Sequence, residues 1–163
     1  MTGMSEDRRL SKDEYFAILA KIAGARSICR RHKIGTVIVK DGHIISTGYN
    51  GPPRGYTHHF CDPCIKDQEK LASNQGHSLC PASHSEANAI VQAAYQGIST
   101  KGGVMYTTLF PCDLCQRLII NAGIVEVVYL YDYPALRNML EEVGIVLRKV
   151  EAPALLNYDE LGR

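Results

Sequence analysis

The order of segments along this chain predicts an α/β fold, a three-layer α/β/α arrangement of one mixed five-stranded sheet with helices on both faces. Two observations carry that expectation. Near the N-terminus two β-branched runs flank Asp41-Gly42, which predicts a β-hairpin. From His84 onward, amphipathic helical segments alternate with apolar strand segments, which predicts that the last strands run parallel.

The first element is a helix opened by Ser11-Lys12-Asp13-Glu14, a capping-box pattern, with Tyr15, Ile18, Leu19 and Ile22 as its expected core stripe. Ile34 to Lys40 and His43 to Tyr49 are the hairpin strands, and both turn residues between them need positive φ. From Asn50 to Ala82 the pattern dissolves into Gly, Pro, His and Cys. Such a stretch is too long for a featureless loop, so it is expected to carry function or a metal clip. A helix follows from His84, with Ala87, Ile90, Val91 and Ala94 on its expected inner face and Gly97 as its stop. Gly103 to Leu109 reads as a buried strand, Cys112 to Ala122 as a helix stopped near Gly123, and Val125 to Tyr131 as a strand. Pro134 to Val143 reads as a helix with Leu136, Met139, Leu140 and Val143 on one face. Gly144 ends it, and Ile145 to Val150 is the last strand. Each late strand–helix–strand unit is expected to be a right-handed parallel crossover.

With 163 residues, the chain is most simply one domain, with a core over about 11–150, a Cys/His-rich insertion over 50–82 and a C-terminal tail over 152–163. A hydrophobic fraction of 45% and a charged fraction of 21% are ordinary for a globular protein. The formal net charge of +1 provides no global field for a nucleic-acid polymer or an anionic membrane. No apolar run approaches the roughly 18 residues of a membrane span, and Met1 to Arg9 has no apolar signal core. A cytoplasmic location is therefore expected, where six cysteines read as metal ligands or free thiols more readily than as disulfides.

His84-Ser85-Glu86, followed by Pro111-Cys112-Asp113-Leu114-Cys115, is the constellation with chemistry in it. One imidazole and two thiolates form a zinc set, and three ligands leave a fourth position open. Both halves fall at expected helix starts, where free N–H groups favour anionic sulfur, and cysteines three apart on a helix share a face. Glu86 can lean over the metal without ligating it and act as general acid and base. The competing reading is a closed structural site, with a fourth ligand from the His-rich loop.

Three segments, Thr47-Gly48-Tyr49-Asn50-Gly51-Pro52-Pro53-Arg54-Gly55, His84-Ser85-Glu86-Ala87-Asn88-Ala89-Ile90 and Phe110-Pro111-Cys112-Asp113-Leu114-Cys115, closely resemble the deoxycytidylate (dCMP) deaminases of the cytidine/deoxycytidylate deaminase superfamily. The likeness runs from about Tyr15 to Val150. The zinc motif alone would admit cytidine, guanine, tRNA-adenosine and riboflavin-pathway deaminases; the Gly-Tyr-Asn-Gly-x-Pro segment narrows it. The resemblance implies a cytidine-deaminase-like fold and hydrolysis of dCMP to dUMP and ammonia, which supplies dUMP for thymidylate synthesis. Zn²⁺ would be held by His84, Cys112 and Cys115, with Glu86 as the proton shuttle for attack at C4. It also implies that Asn50 lines the nucleotide site. For the monophosphate, Arg26 and Arg54 are the candidate cations, with surface solvation as the plain alternative. Tyr131 and Tyr133 could touch sugar or phosphate, or simply pack.

Cys29, Cys61, Cys64 and Cys80 remain, with His58, His59 and His77 nearby. Some deoxycytidylate deaminases carry a second, structural zinc in this region. The resemblance thus suggests Cys29, Cys61, Cys64 and Cys80 as its ligands, with His59 or His77 as substitutes; reduced thiols are the alternative. Many relatives have Ala or another small residue where Ser85 stands, a mild variation not expected to disturb the site. Regulated relatives are usually hexamers, activated by dCTP (with Mg²⁺) and inhibited by dTTP. They can carry a basic residue in the region where this chain has Tyr95, and Lys101 is the nearest stand-in. Rival readings are a deaminase of dCTP or a modified dCMP, a tRNA-adenosine deaminase, which the near-neutral charge opposes, and a non-catalytic zinc-stabilised competence-type or binding protein.

Overall fold

The computed structural model describes residues 9–56 and 61–151. The elements run α1 (Lys12–Gly24), β1 (Gly35–Lys40), β2 (His43–Tyr49), α2 (Ile65–Gln68), α3 (Ser85–Tyr95), β3 (Val104–Leu109), α4 (Asp113–Asn121), β4 (Glu126–Tyr131), α5 (Met139–Glu142) and β5 (Val146–Lys149). The sheet order is β2-β1-β3-β4-β5. β1 is antiparallel to β2 and β3, while β3, β4 and β5 are mutually parallel neighbours. The expected mixed five-stranded sheet is present, with its parallel half at the C-terminal end of the chain.

Side chains that alternate along the strands divide the core in two. Val37, Val39, Tyr106 and Val128 pack on Phe16 and Ala20 of α1. Ile38, Met105 and Val127 face the other way, onto Ala89 of α3, Ile119 of α4 and Leu140 of α5. Helices thus cover both faces. The hairpin turn has φ of 51° at Asp41 and 78° at Gly42, the positive pair expected there.

The N-terminal cap forms as its residues predict. Ser11 Oγ accepts from Glu14 N–H at 3.2 Å, and the Glu14 carboxylate accepts from Ser11 N–H at 2.7 Å. The inner face of α1 agrees with expectation at Ile18 and Leu19 but not at Tyr15 and Ile22, which are exposed, while Phe16, Ala17, Ala20 and Gly24 are buried. α3 shows the same offset, with Ser85, Glu86, Ala89 and Ala93 inside and Val91 62% exposed. The cause is proximity. A Cβ at Gly48 of β2 would lie 2.2 Å from Ser85 O and 2.5 Å from Ala89 N, so only the small-residue side of α3 fits against the strand.

The expected helix over 134–143 is reduced to Met139–Glu142. Here the backbone hydrogen bonds go to α4 side chains. Asp113 accepts from Leu136 N–H and Arg137 N–H, both at 3.2 Å, and Gln116 Oε1 accepts from Met139 N–H at 2.8 Å. Leu136 is consequently exposed and Leu140 fully buried. Other ends differ from expectation by a residue or two. The tail over 152–163 lies outside the described residues.

α1 is also tied across the sheet by charge. Arg148 of β5 donates to both oxygens of Asp13 and pairs with Glu126, and Tyr106 Oη donates to Asp13 Oδ1 at 2.8 Å. The Arg148 guanidinium, aided by Tyr106 and opposed by burial, holds Asp13 below 3.8, the ordinary carboxylate value. A depressed carboxylate adds stability that is complete above its unfolded pKa and lost as pH falls through the lower folded one. Asp13→Asn is accordingly expected to lower the Tm at neutral pH by about 2–4 °C, because the partners are partly solvated. Thermal melts below about pH 4 should show that difference narrowing.

Candidate metal centre and substrate cleft

Two helix starts meet at the C-terminal end of β3. His84 is the N-cap of α3 and Cys112 the N-cap of α4, both in extended conformation, with Cys115 in the first turn of α4. A short bridge between Gly51 and Ser83 brings the residue before His84 against the segment leaving β2. His84 Nδ1 lies 3.2 Å from Cys112 Sγ and 3.4 Å from Cys115 Sγ. Among the described residues these three form the one His/Cys/Asp/Glu cluster whose ligand atoms all lie within 4.8 Å of one another. Tetrahedral zinc, with bonds of about 2.3 Å to sulfur and 2.0–2.1 Å to nitrogen, needs an N···S separation of roughly 3.6 Å. The donor set fits that ion in both type and spacing.

The electrostatics are those of a proton shared among ligands. Cys112 is lowered to about 4, first by the hydrogen bond with Cys115 and then by His84. Cys115 is pushed up by the same bond with Cys112 and by burial. His84 is raised by its contact with Cys112. Glu86 is buried at 4% exposure, and loss of solvent raises its pKa.

A cleft opens beside these groups. His84, Glu86 and Cys112 form its floor. Asn50, Arg31, His32 and Ile34 line it from the β1 side, Lys66, Ser73 and His77 from the 64–80 segment, and Phe110 and Tyr133 from the β3 and β4 ends. Burial pushes Tyr133 up to about 12, with the negative charges of Cys112 and Glu86 adding to the effect. Burial and neighbouring cations (Arg31 and Lys66 for His32, Lys66 for His77) lower both imidazoles and favour their neutral forms.

The expected site residues are distributed unevenly. His84, Glu86, Cys112 and Cys115 come together. Asn50 lines the cleft, but its amide also holds the wall: Nδ2 donates to His32 O at 2.8 Å and Oδ1 accepts from Ile34 N–H at 2.9 Å. Arg26 and Arg54 do not line the cleft. Arg26 sits exposed on the turn that ends α1, its N–H bonded to Ala23 O. Arg54 lies on the outer side of α3, where it donates to Gln92 Oε1 at 2.7 Å with its guanidinium over the Tyr95 ring. Tyr131 is likewise outside the cleft lining, with Lys21 over its ring.

Cys29, Cys61, Cys64 and Cys80 are drawn into one region. Burial raises Cys61 first, and the charges of Cys80, Cys29 and Cys64 raise it further. Their ligand atoms do not meet the close spacing of the His84 set. His77 lines the same cleft as His84, its ring edge-on to His84 at 5.0 Å. His58 and His59 lie outside the described residues.

The basic side chains of the cleft are Arg31, His32 and Lys66, which sequence reasoning missed. Arg31 Nη2 donates to Leu71 O at 2.9 Å, its Nε is 3.4 Å from Asp67, and its buried Nη1 has no partner among the described residues. Lys66 is buried and donates to Ser73 O at 3.0 Å. The signal was a basic run, Arg30-Arg31-His32-Lys33, directly before a buried strand. Such a run reads as a solvated surface unless the fold turns some of its members inward.

Comparison with known proteins agrees with this geometry. The family model described as the cytidine and deoxycytidylate deaminase zinc-binding region matches residues 10–131. The chain is 32% identical over 151 residues to ComE operon protein 2 of Bacillus subtilis, covering 91% of this chain and 76% of that protein. It is 38% identical over 122 residues to the deoxycytidylate deaminase of Mycobacterium phage D29, covering 72% and 92%. Two yeast deoxycytidylate deaminases are longer, and the chain spans 45% and 46% of their lengths. Among solved structures, the cyanophage S-TIM5 dCMP deaminase in complex with dCMP and dUMP superposes with a TM-score of 0.73 at 27% identity. That match covers 88% of this chain and 100% of the other.

The donor set predicts a firmly held zinc. Purified protein should contain zinc by elemental analysis, and Cys115→Ser should lose the ion from the His84 site while α4 still folds. A zinc content unchanged by Cys115→Ser would remove Cys115 from the ligand set.

Proposed function

The chain belongs to the cytidine and deoxycytidylate deaminase family, and we propose that it hydrolyses dCMP to dUMP and ammonia. The observation that carries this reading is the convergence of a three-donor zinc set, a buried carboxyl group and the two cations Arg31 and Lys66 on one cleft. His84, Cys112 and Cys115 would hold the zinc, which lowers the pKa of water and so supplies a nucleophile at neutral pH. Glu86 takes the proton that the attacking water gives up and delivers it to ring N3. It then carries a further proton to the departing amine, so that one water is consumed and one ammonia released. Its raised pKa suits a group that must both accept and release a proton near neutrality. Phe110 and Tyr133 offer apolar surface to the base, and burial of the reacting groups strengthens each charge interaction between them.

For the 5′-phosphate, we assign Arg31 and Lys66, with His32, in place of Arg26 and Arg54. The unpartnered Nη1 of Arg31 supports this choice, because a buried guanidinium donor without an acceptor is costly and a phosphate oxygen would supply one. Asn50, through its remaining N–H, serves the nucleotide as well as the wall. The reading extends to a second, structural zinc on Cys29, Cys61, Cys64 and Cys80, supported by the clustering of these thiols. It also extends to a cytoplasmic homohexamer with dCTP·Mg²⁺ and dTTP as effectors. In support, Tyr49, Arg54, Asn88, Gln92 and Tyr95 line a second cleft, where a guanidinium over an aromatic ring offers a nucleotide both stacking and charge.

Absorbance assays with deoxycytidine, dCMP, CMP and dCTP, with and without the two effectors, test the substrate reading. dCMP should be turned over best, and Glu86→Ala should lower its kcat by at least about 10²-fold. Equal turnover of deoxycytidine and dCMP would defeat the phosphate assignment. Survival of ammonia release in Glu86→Ala would defeat the proton carrier. Arg31→Ala should raise the KM for dCMP by about tenfold or more with a smaller effect on kcat, and Arg31→Lys should recover part of that loss. Four thiolate ligands for a second zinc predict two zinc ions per chain, falling to one in Cys61→Ser.

A further inference from the structure

Glu86 is held from the sheet by a short chain of hydroxyl groups. Ser85 Oγ donates to Glu86 Oε2 at 3.0 Å. Thr36 Oγ1 of β1 lies 2.8 Å from Ser85 Oγ and donates to Thr107 Oγ1 of β3 at 3.1 Å. Thr36 and Thr107 are register partners across the antiparallel pair. All three hydroxyl residues are at most 1% exposed.

The position of these residues is telling. Thr36 lies on the same sheet face as Ile38, and Thr107 on the same face as Met105, two residues along in each strand; Ile38 and Met105 belong to the apolar core beneath α3 and α4. The Ile38–Met105 pair is apolar, and the next pair on this face toward Ser85, Thr36–Thr107, is polar. Buried hydroxyls are costly unless bonded, and apolar residues would fill such positions without that cost. Proton counting adds a constraint. Thr36 has one hydroxyl proton and gives it to Thr107, so the proton of Ser85 must serve both Glu86 Oε2 and Thr36 Oγ1.

We propose that Ser85 is a positioning residue for the proton carrier: its hydroxyl, braced by Thr36, fixes Glu86 Oε2 and leaves the other carboxyl oxygen to the cleft. The Ser85 hydroxyl donates to Oε2, and that bond together with the Thr36 brace holds the plane of the carboxyl group. This inference rests on the reading of Glu86 as the proton carrier, and it gives a task to a residue that sequence comparison treats as a mild variation.

The test compares the wild type, Ser85→Ala, Thr36→Val and the double variant as zinc-loaded protein. kcat and KM for dCMP, zinc content, and the affinities for dUMP and for a pyrimidin-2-one deoxynucleotide, whose hydrate mimics the tetrahedral intermediate, are measured. Ser85→Ala should lower kcat about tenfold, a part of the roughly 10²–10⁴ that general acid–base catalysis supplies, with KM, zinc and dUMP binding unchanged. Affinity for the hydrated analogue should fall by the same factor. Thr36→Val should cost less, and in the Ser85→Ala background it should cost nothing further, because it acts through Ser85. A kcat for Ser85→Ala within about twofold of wild type, or a parallel loss of zinc or dUMP binding, overturns the proposal. If Ser85→Ala does not fold, Thr36→Val decides: lowered kcat with intact zinc and dUMP binding supports it, and unchanged kcat overturns it. Failure of the substrate reading is distinct, since the wild type would then leave dCMP intact. The variants would be compared on whichever cytosine nucleotide it does deaminate.

Discussion

The site depends on how closely α3 lies against β2. With hydrogen in place of a side chain at Gly48, the backbone of Ser85 and Ala89 comes within the space a methyl group would occupy. That contact fixes the height and rotation of α3, and so decides that its N-cap imidazole meets the sulfurs of α4. It also turns Ser85 and Glu86 inward together. A strand and a helix separated by an ordinary side chain would put the carboxyl group several ångströms from the metal ligands. The antiparallel pairing of β1 with β3 then supplies the floor, and the parallel β3–β4 pair brings Phe110 and Tyr133 to the same end of the sheet.

Electrostatics then build on that placement. The N-terminus of α4 offers the Cys115 N–H to the Cys112 sulfur, while desolvation raises Glu86 and Tyr133. The cations come from elsewhere in the chain. Arg31 joins the segment before β1 to the 64–80 segment, through Leu71 and Asp67, and also lines the cleft. One residue thus belongs both to the wall and to the ligand surface.

Much of this was legible in the sequence, for physical reasons that can be named. The hairpin was readable because Asp41-Gly42 has little choice of turn, and the metal set because soft ligands at His-x-Glu and Cys-x-x-Cys spacing have few other uses. The inner faces of α1 and α3 were read correctly at Ile18, Leu19 and Ile90 and misread elsewhere, because periodicity was judged by bulk, whereas close packing favours Ala and Gly. The shortened helix before β5 was missed because its competitors, Asp113 and Gln116, lie more than twenty residues away. Arg31 and Lys66 were missed for a related reason: nothing local distinguishes a cation that turns inward from one in solvent. Arg26 and Arg54 were proposed on nearness in sequence, and the chain direction at each takes the guanidinium elsewhere.

Gln116 has a consequence for anyone wishing to alter the specificity of this cleft. It is fully buried, donating to Pro111 O at 3.0 Å and Arg137 O at 3.1 Å while accepting from Met139 N–H. The start of the cysteine helix and the loop that presents Tyr133 are therefore one mechanical unit, pinned by a single amide. Evolution or a protein engineer can resize the base pocket by exchanging Tyr133 only within the latitude that this pin permits. The more powerful dial is the pin, a side chain that never meets the substrate.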